Sequence, residues 1–259
     1  MSGEVLLERE GEIATVTLSN PERLNALSLA MWEQLGSHMN KLHQDTSLRC
    51  IVLRGAGDKA FAAGADIAAF AKERANSRQA KKYGARIARS MHTLAACRHP
   101  VVALIQGACV GGGLLVASQA DLRLCGESSR FGVPVKNLGL VEAYDELAGM
   151  MRVVGRAATL EILLEGRIWN AREAYEKGLV NRVVADDKVV EEAYATARRI
   201  AEGAPLAARW HKKFVRRLGE PKRLSRKERD ESFACFDTED FREGVAAFLA
   251  KRKPRFGGR

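Results

Sequence analysis

Apolar and polar positions along this chain change period several times. Ile13 to Leu18 alternates around β-branched residues and reads as a strand. "NPERLNALS" follows as a loop, and Ser28 is placed to cap a helix on which Trp32, Leu35, Met39 and Leu42 recur at helical spacing. "CIVLRGAG" is a buried strand that runs into a glycine turn. Tyr83, Ile87, Met91 and Leu94 mark a second helix, stopped before His99-Pro100. "VVALIQG" and "DLRLCG" are further strands. From Val189 onward the pattern is helical to the end, with "EGAP" marking a break near residue 204.

Strands alternating with helices argue for α/β layers, here a spiral or layered core over 1–200 with a helical C-terminal extension over 201–259. A chain of 259 residues is long enough to bury a full core. No uncharged apolar run approaches the roughly 18 residues that suggest a membrane span. The opening "MSGEVLLEREGEIATV" carries acids where a secretory signal would carry a basic patch and a long apolar core, so a cytoplasmic location is expected.

Five cysteines make no CxxC pair, and Cys50, Cys109 and Cys125 sit in apolar stretches as small core residues. His38, His43, His92, His99 and His211 lack metal-ligand spacing, so no metal site is expected. The net charge of +10 is concentrated in Arg209 to Arg229 and in the tail "KRKPRFGGR". Solvated helix faces explain it, and so does a partner carrying phosphate; no nucleic-acid motif accompanies it.

Two segments share a logic. "AFAAGADIAAF" follows the strand at Cys50 and opens a helical run at Asp66; "GACVGGGLL" follows the strand at Val101 and opens another. Each offers backbone N–H groups at a helix start, where unpaired donors gather. Two such loops converging on one carbonyl oxygen would stabilise charge that develops there during reaction. Close packing through small residues accounts for either loop taken singly.

These two loops, with "HPVVALIQGACVGGG", "ADLR", "SRFGVPVKNLGL", "VGRAAT" and "EGRIWNAREAYEKGLVNRVV", resemble in order and spacing the crotonase (enoyl-CoA hydratase/isomerase) superfamily. "NPERLNALS" and "FLAKRKPRF" are similar to that family as well, so the resemblance covers nearly the whole chain. It implies a spiral of ββα repeats whose C-terminal helices build homotrimers, in some members hexamers. It also implies an acyl-CoA thioester as substrate, with coenzyme A part of that substrate and no further cofactor. The thioester oxygen would be held by the N–H groups of Ala65 and Gly112. CoA would lie along Ala65, Asp66, Ile67 and Ala68, with Arg23, Leu24 and Ala26 near the nucleotide and Lys253 and the tail arginines as further phosphate partners.

The family's hydratases place two glutamates around the double bond, in "GGGxE" and after "FGxP". This chain has Leu115 and Val135 there, and neither can move a proton. An aspartate used by other branches falls on Ala143. Beside these positions "GLVEAYDELAGM" crowds Glu142, Tyr144, Asp145 and Glu146 together. Glu142 and Glu146 are spaced i, i+4, as one helical face would require, and apolar Leu115, Val135 and Leu140 would raise a neighbouring carboxyl. Asp145 and Glu146 also suit the first turn of a helix ending near Gly155. Tyr144 reads as a hydrogen-bond donor or as packing. The wall formed by Leu114, Leu115, Val135 and Leu140 points to an apolar or bulky acyl group.

The expectation is therefore an acyl-CoA enzyme with a non-standard acid–base set: an isomerase, decarboxylase, hydrolase or relocated-acid hydratase. The alternative is an inactive member that binds CoA ligands or RNA. Only Lys41 marks the helix by which some relatives bind RNA, which counts against nucleic acid as partner.

Overall fold

The computed structural model describes residues 3–67 and 73–259. A six-stranded sheet runs in the order β1-β2-β3-β5-β7-β10, comprising Glu4–Glu10, Ile13–Ser19, Cys50–Gly55, Val101–Ile105, Leu122–Gly126 and Arg182–Val184. Its first pair is antiparallel and the rest parallel. A smaller sheet holds β4 (Ala60–Ala62), β6 (Ala108–Val110), β8 (Arg130–Gly132) and β9 (Trp169–Asn170). Each winding of the chain gives one strand to the large sheet, a short one to the small sheet, and then a helix. The helices so reached are α2 (Ser77–Ala96), α3 (Gly112–Ala117) and α4 (Tyr144–Glu165), which gives the expected spiral of ββα turns.

Both faces of the large sheet are covered, which is why its central strands read as unbroken apolar runs. On β3, Ile51 and Leu53 face one core with Trp32, Leu35 and Met39 of α1 (Leu29–Gln44) and with Ile87 and Met91 of α2. Cys50 and Val52 face the other core, against Val189, Ala193 and Ala197 of α6 (Val189–Ala201). Between α4 and that helix lies the short α5 (Ala171–Glu176). The Ser28 hydroxyl accepts the Met31 N–H, the cap the sequence predicts.

From Pro205 every described helix or strand is helical: α7 (Pro205–Leu218), α8 (Arg226–Glu231) and α9 (Glu239–Leu249). Part of the basic excess ties this region down instead of facing solvent. Lys212 Nζ donates to Asp121 (2.7 Å) and to the His99 carbonyl (2.8 Å), and Arg209 donates to the carbonyls of Thr46 and Leu48. Helix α4 does not end at Gly155. It kinks there, where φ is +71°, and continues to Glu165.

Arg123, from the "ADLR" stretch, sets the far end of α3. Its buried guanidinium donates to the carbonyls of Ala120 (2.6 Å), Ala117 (3.4 Å) and Leu179 (2.7 Å). A cation at a helix C-terminus satisfies orphan carbonyls and suits the dipole. Burial lowers Arg123 to about 10, which leaves it charged at neutral pH. Replacing it with Met would keep the stem and strand these carbonyls, at a cost of about 2–4 kcal/mol. Thermal denaturation of Arg123→Met should show Tm lower by roughly 5–15 °C, with Arg123→Lys less affected; an unchanged Tm for the Met variant would sink this account.

Candidate active site

The two glycine-bearing loops meet where the first winding crosses the second. Leu27 forms a parallel bridge to Ala65: its N–H donates to the Gly64 carbonyl (2.7 Å), and its own carbonyl accepts the Asp66 N–H (3.1 Å). Such a bridge uses the groups on either side of Ala65 and turns the Ala65 N–H away from it. Gly112 is the first residue of α3, where an N–H has no partner within the helix. The position a Cβ on Gly112 would occupy lies 3.8 Å from the Ala65 nitrogen, so the two donors are neighbours.

Two glycines permit this approach. Gly111 adopts φ +51°, a conformation that side chains resist, and so turns the chain out of β6 into α3. A Cβ on Gly113 would sit 2.3 Å from the Ala62 carbonyl oxygen, so only glycine lets α3 pack this close to β4. Both glycines serve backbone geometry, and the loops they build present donors at one place.

The donors border a cavity of about 110 Å³. Trp32, Ile87 and Met91 line it from α1 and α2, and Leu115, Val135 and Leu140 supply the aliphatic wall. Leu114 is fully buried and does not line it; adjacent residues on a helix point in different directions. The Trp32 indole N–H is buried with no acceptor among the described residues.

Glu142 and Glu146 both line this cavity, though not as one helical face. Helix α4 begins at Tyr144, so Glu142 lies in the loop before it. The chain turn at Ala143 brings the two carboxyls together instead. Glu146, 9% exposed, accepts the Ala143 N–H at 2.7 Å, so it is also the first-turn cap that its position allowed. Glu142 is pushed well above the usual carboxylate range, first by burial, then by the like charge of Glu146 and the hydrogen-bonding contact between them; Arg74 opposes the shift. Asp145 is exposed, and Tyr144, 95% exposed, is not among the residues lining the cavity. That arrangement gives Tyr144 neither the donor role nor the packing role the sequence suggested.

Around the mouth, Arg23 pairs with Asp66, and the Leu24 carbonyl accepts the Ala63 N–H at 2.9 Å, which ties the two loops together. Leu24 and Ile67 are exposed there and Ala26 is buried. Ala68, and most of the helical run expected from Asp66, lie outside the described residues. Lys253 and Arg255 border other grooves, with Glu10 and Glu12 or with Glu239 and Glu243, while Arg252 is paired with Glu243. These tail residues do not line this cavity within the chain. Sequence reasoning misses Arg74, which does line it, and treats Trp32, Ile87 and Met91 as core only.

A family model described as enoyl-CoA hydratase/isomerase matches residues 8–259. A protein of Rhizobium meliloti named "Probable enoyl-CoA hydratase" is 37% identical over 99% of each chain. The short-chain-enoyl-CoA hydratase of Clostridium acetobutylicum is 31% identical over 96% of this chain and 95% of its own. A crystal structure described as an enoyl-CoA hydratase/carnithine racemase from Magnetospirillum magneticum superposes with a TM-score of 0.97 at 53% identity, covering 98% of this chain and 96% of that one.

A carboxyl raised by the fold stabilises the native state fully below its unfolded pKa, and that contribution is lost as pH rises through the folded value, here about 8. Glutamine at 142 stays neutral and escapes this loss. The Tm of Glu142→Gln relative to the parent should therefore climb between about pH 5 and about pH 9, by about 2–4 °C for each kcal/mol removed. A difference that stays flat with pH would mean that Glu142 titrates normally.

Proposed function

The chain belongs to the enoyl-CoA hydratase/isomerase (crotonase) family, and on that premise we propose that it transfers a proton at the α-carbon of an acyl-CoA thioester. The N–H groups of Ala65 and Gly112 hold the thioester oxygen, and Glu142 with Glu146 moves the proton. In the first step an ionised Glu142 takes the α-proton, the C–H pair forms the enolate C=C bond, and charge collects on the oxygen between the two donors. Preorganised donors favour that charge over the neutral carbonyl, and losing one such donor typically costs about 10²–10³ in rate. Returning the proton at the γ-carbon isomerises a double bond; addition or loss of water around the same enolate gives hydration or dehydration.

One observation carries this reading: both carboxyls border the cavity onto which the two donors open. Leu115 and Val135 occupy the two positions at which the family's usual hydratases carry their acids, so hydration here would need the relocated pair. Thioester hydrolysis shares the oxygen-binding step and could use the same carboxyls on water, whereas decarboxylation needs no base. An inert ligand-binding member would keep Glu146 as the cap of α4 and would have no use for Glu142 beside it.

The exposed apolar side chains Phe233, Phe236, Phe248 and Leu249 support assembly of the C-terminal helices into a trimer or a dimer of trimers. Light scattering should give a mass of three or six chains, and a monomer would remove this part.

The chemical reading is tested by NMR of solvent deuterium exchange at the α-carbon of butyryl-CoA. Exchange is expected with the parent and should fall by about 10²-fold or more in Glu142→Gln, with a smaller loss in Glu146→Gln, whose amide oxygen can still accept the Ala143 N–H. Binding without exchange would leave a CoA-ligand binder or an enzyme that needs no base.

A further inference from the structure

Among the described residues, one cation joins the two carboxyls at the cavity. Arg74 approaches from the stretch just ahead of α2, and its guanidinium carbon lies 3.9 Å from the ring centroid of Tyr83. Tyr83 is 4% exposed and anchored in the core through α2. Burial raises its hydroxyl, and the guanidinium acts on it in the opposite sense. A planar guanidinium on an aromatic face is both attracted and oriented, which a lysine ammonium would not reproduce.

Two charged groups among the described residues act on Glu142. Glu146 faces it from α4 and disfavours its ionised form, while Arg74 favours that form. Tyr83 stands behind Arg74 on α2, itself raised by burial and influenced by Glu73 and Glu146. Were Arg74 absent, burial and the neighbouring carboxylate would act on Glu142 without opposition, and it would keep its proton to a higher pH.

We propose that Arg74, clamped over Tyr83, is a positioning residue that holds a fixed positive charge against the Glu142–Glu146 pair and so keeps Glu142 available as a proton acceptor near neutral pH. This rests on the proton-transfer reading of the site. It adds a third residue to the acid–base set, one that acts through Glu142 and touches no reacting atom.

The test reads Glu142 directly. Protein labelled with carbon-13 at the glutamate carboxyls is titrated by NMR, and the Glu142 signal is assigned by its loss in Glu142→Gln. The Glu142 midpoint should move up by about one pH unit or more in Arg74→Met. It should stay closer to the parent in Arg74→Lys, which keeps the charge, and rise in Tyr83→Leu, which releases it. An unmoved midpoint in folded Arg74→Met overturns the proposal, and circular dichroism establishes that the variant is folded.

Deuterium exchange on the same proteins separates the two claims. A positioning role slows exchange in Arg74→Met at neutral pH, about tenfold for each pH unit by which the midpoint has risen, with recovery as pH rises. A loss by the same factor at every pH would mark Arg74 as merely structural and overturn it. A higher midpoint with no exchange in the parent keeps the electrostatic clamp and defeats the proton-transfer reading.

Discussion

Everything at this site depends on two stretches of backbone approaching closer than side chains allow. Helix α3 can pack on β4 only because Gly113 has no Cβ to meet the Ala62 carbonyl, and the chain can enter α3 only through the φ of +51° at Gly111. Once that contact is made, the N–H groups of Ala65 and Gly112 become neighbours without further cost. Arg123 holds the opposite end of the same short helix through the carbonyls of Ala117 and Ala120, and ties it to Leu179 through a third. The donor geometry is thus set by packing at both ends of six residues.

Around this centre the cavity is aliphatic at Leu115 and Val135 and acidic elsewhere. The loop before α4 supplies Glu142 and the first turn of α4 supplies Glu146. Packing them together is unfavourable unless something compensates, and three features do: the Ala143 N–H on Glu146, a proton retained by Glu142, and the guanidinium of Arg74. The pair is thus held by its surroundings, Glu146 buried and Glu142 half-buried at the cavity.

Much of the fold is legible in the sequence wherever burial imposes a period. The α1 stripe of Trp32, Leu35, Met39 and Leu42 and the apolar runs of β3, β5 and β7 need no tertiary information. The three-residue strands β4, β6 and β8 are not legible, because three residues carry no period. The pattern alone ends α4 at Gly155, since a glycine at positive φ looks the same whether the helix stops or kinks. Glu142 and Glu146 stand out as a cluster, but the helical face invoked for them does not exist; a turn at Ala143 brings them together. Arg74 gives no signal among so many cations, and Trp32, Ile87 and Met91 are indistinguishable from core because cavity and core share the same helical spacing.

The central claim is that the Ala65 and Gly112 N–H groups hold the thioester oxygen. A crystal structure with a bound, unreactive acyl-CoA analogue tests it directly. The carbonyl oxygen should lie within about 3 Å of both nitrogens, with its α-carbon toward Glu142. A thioester bound elsewhere, or an oxygen that meets neither nitrogen, would contradict it.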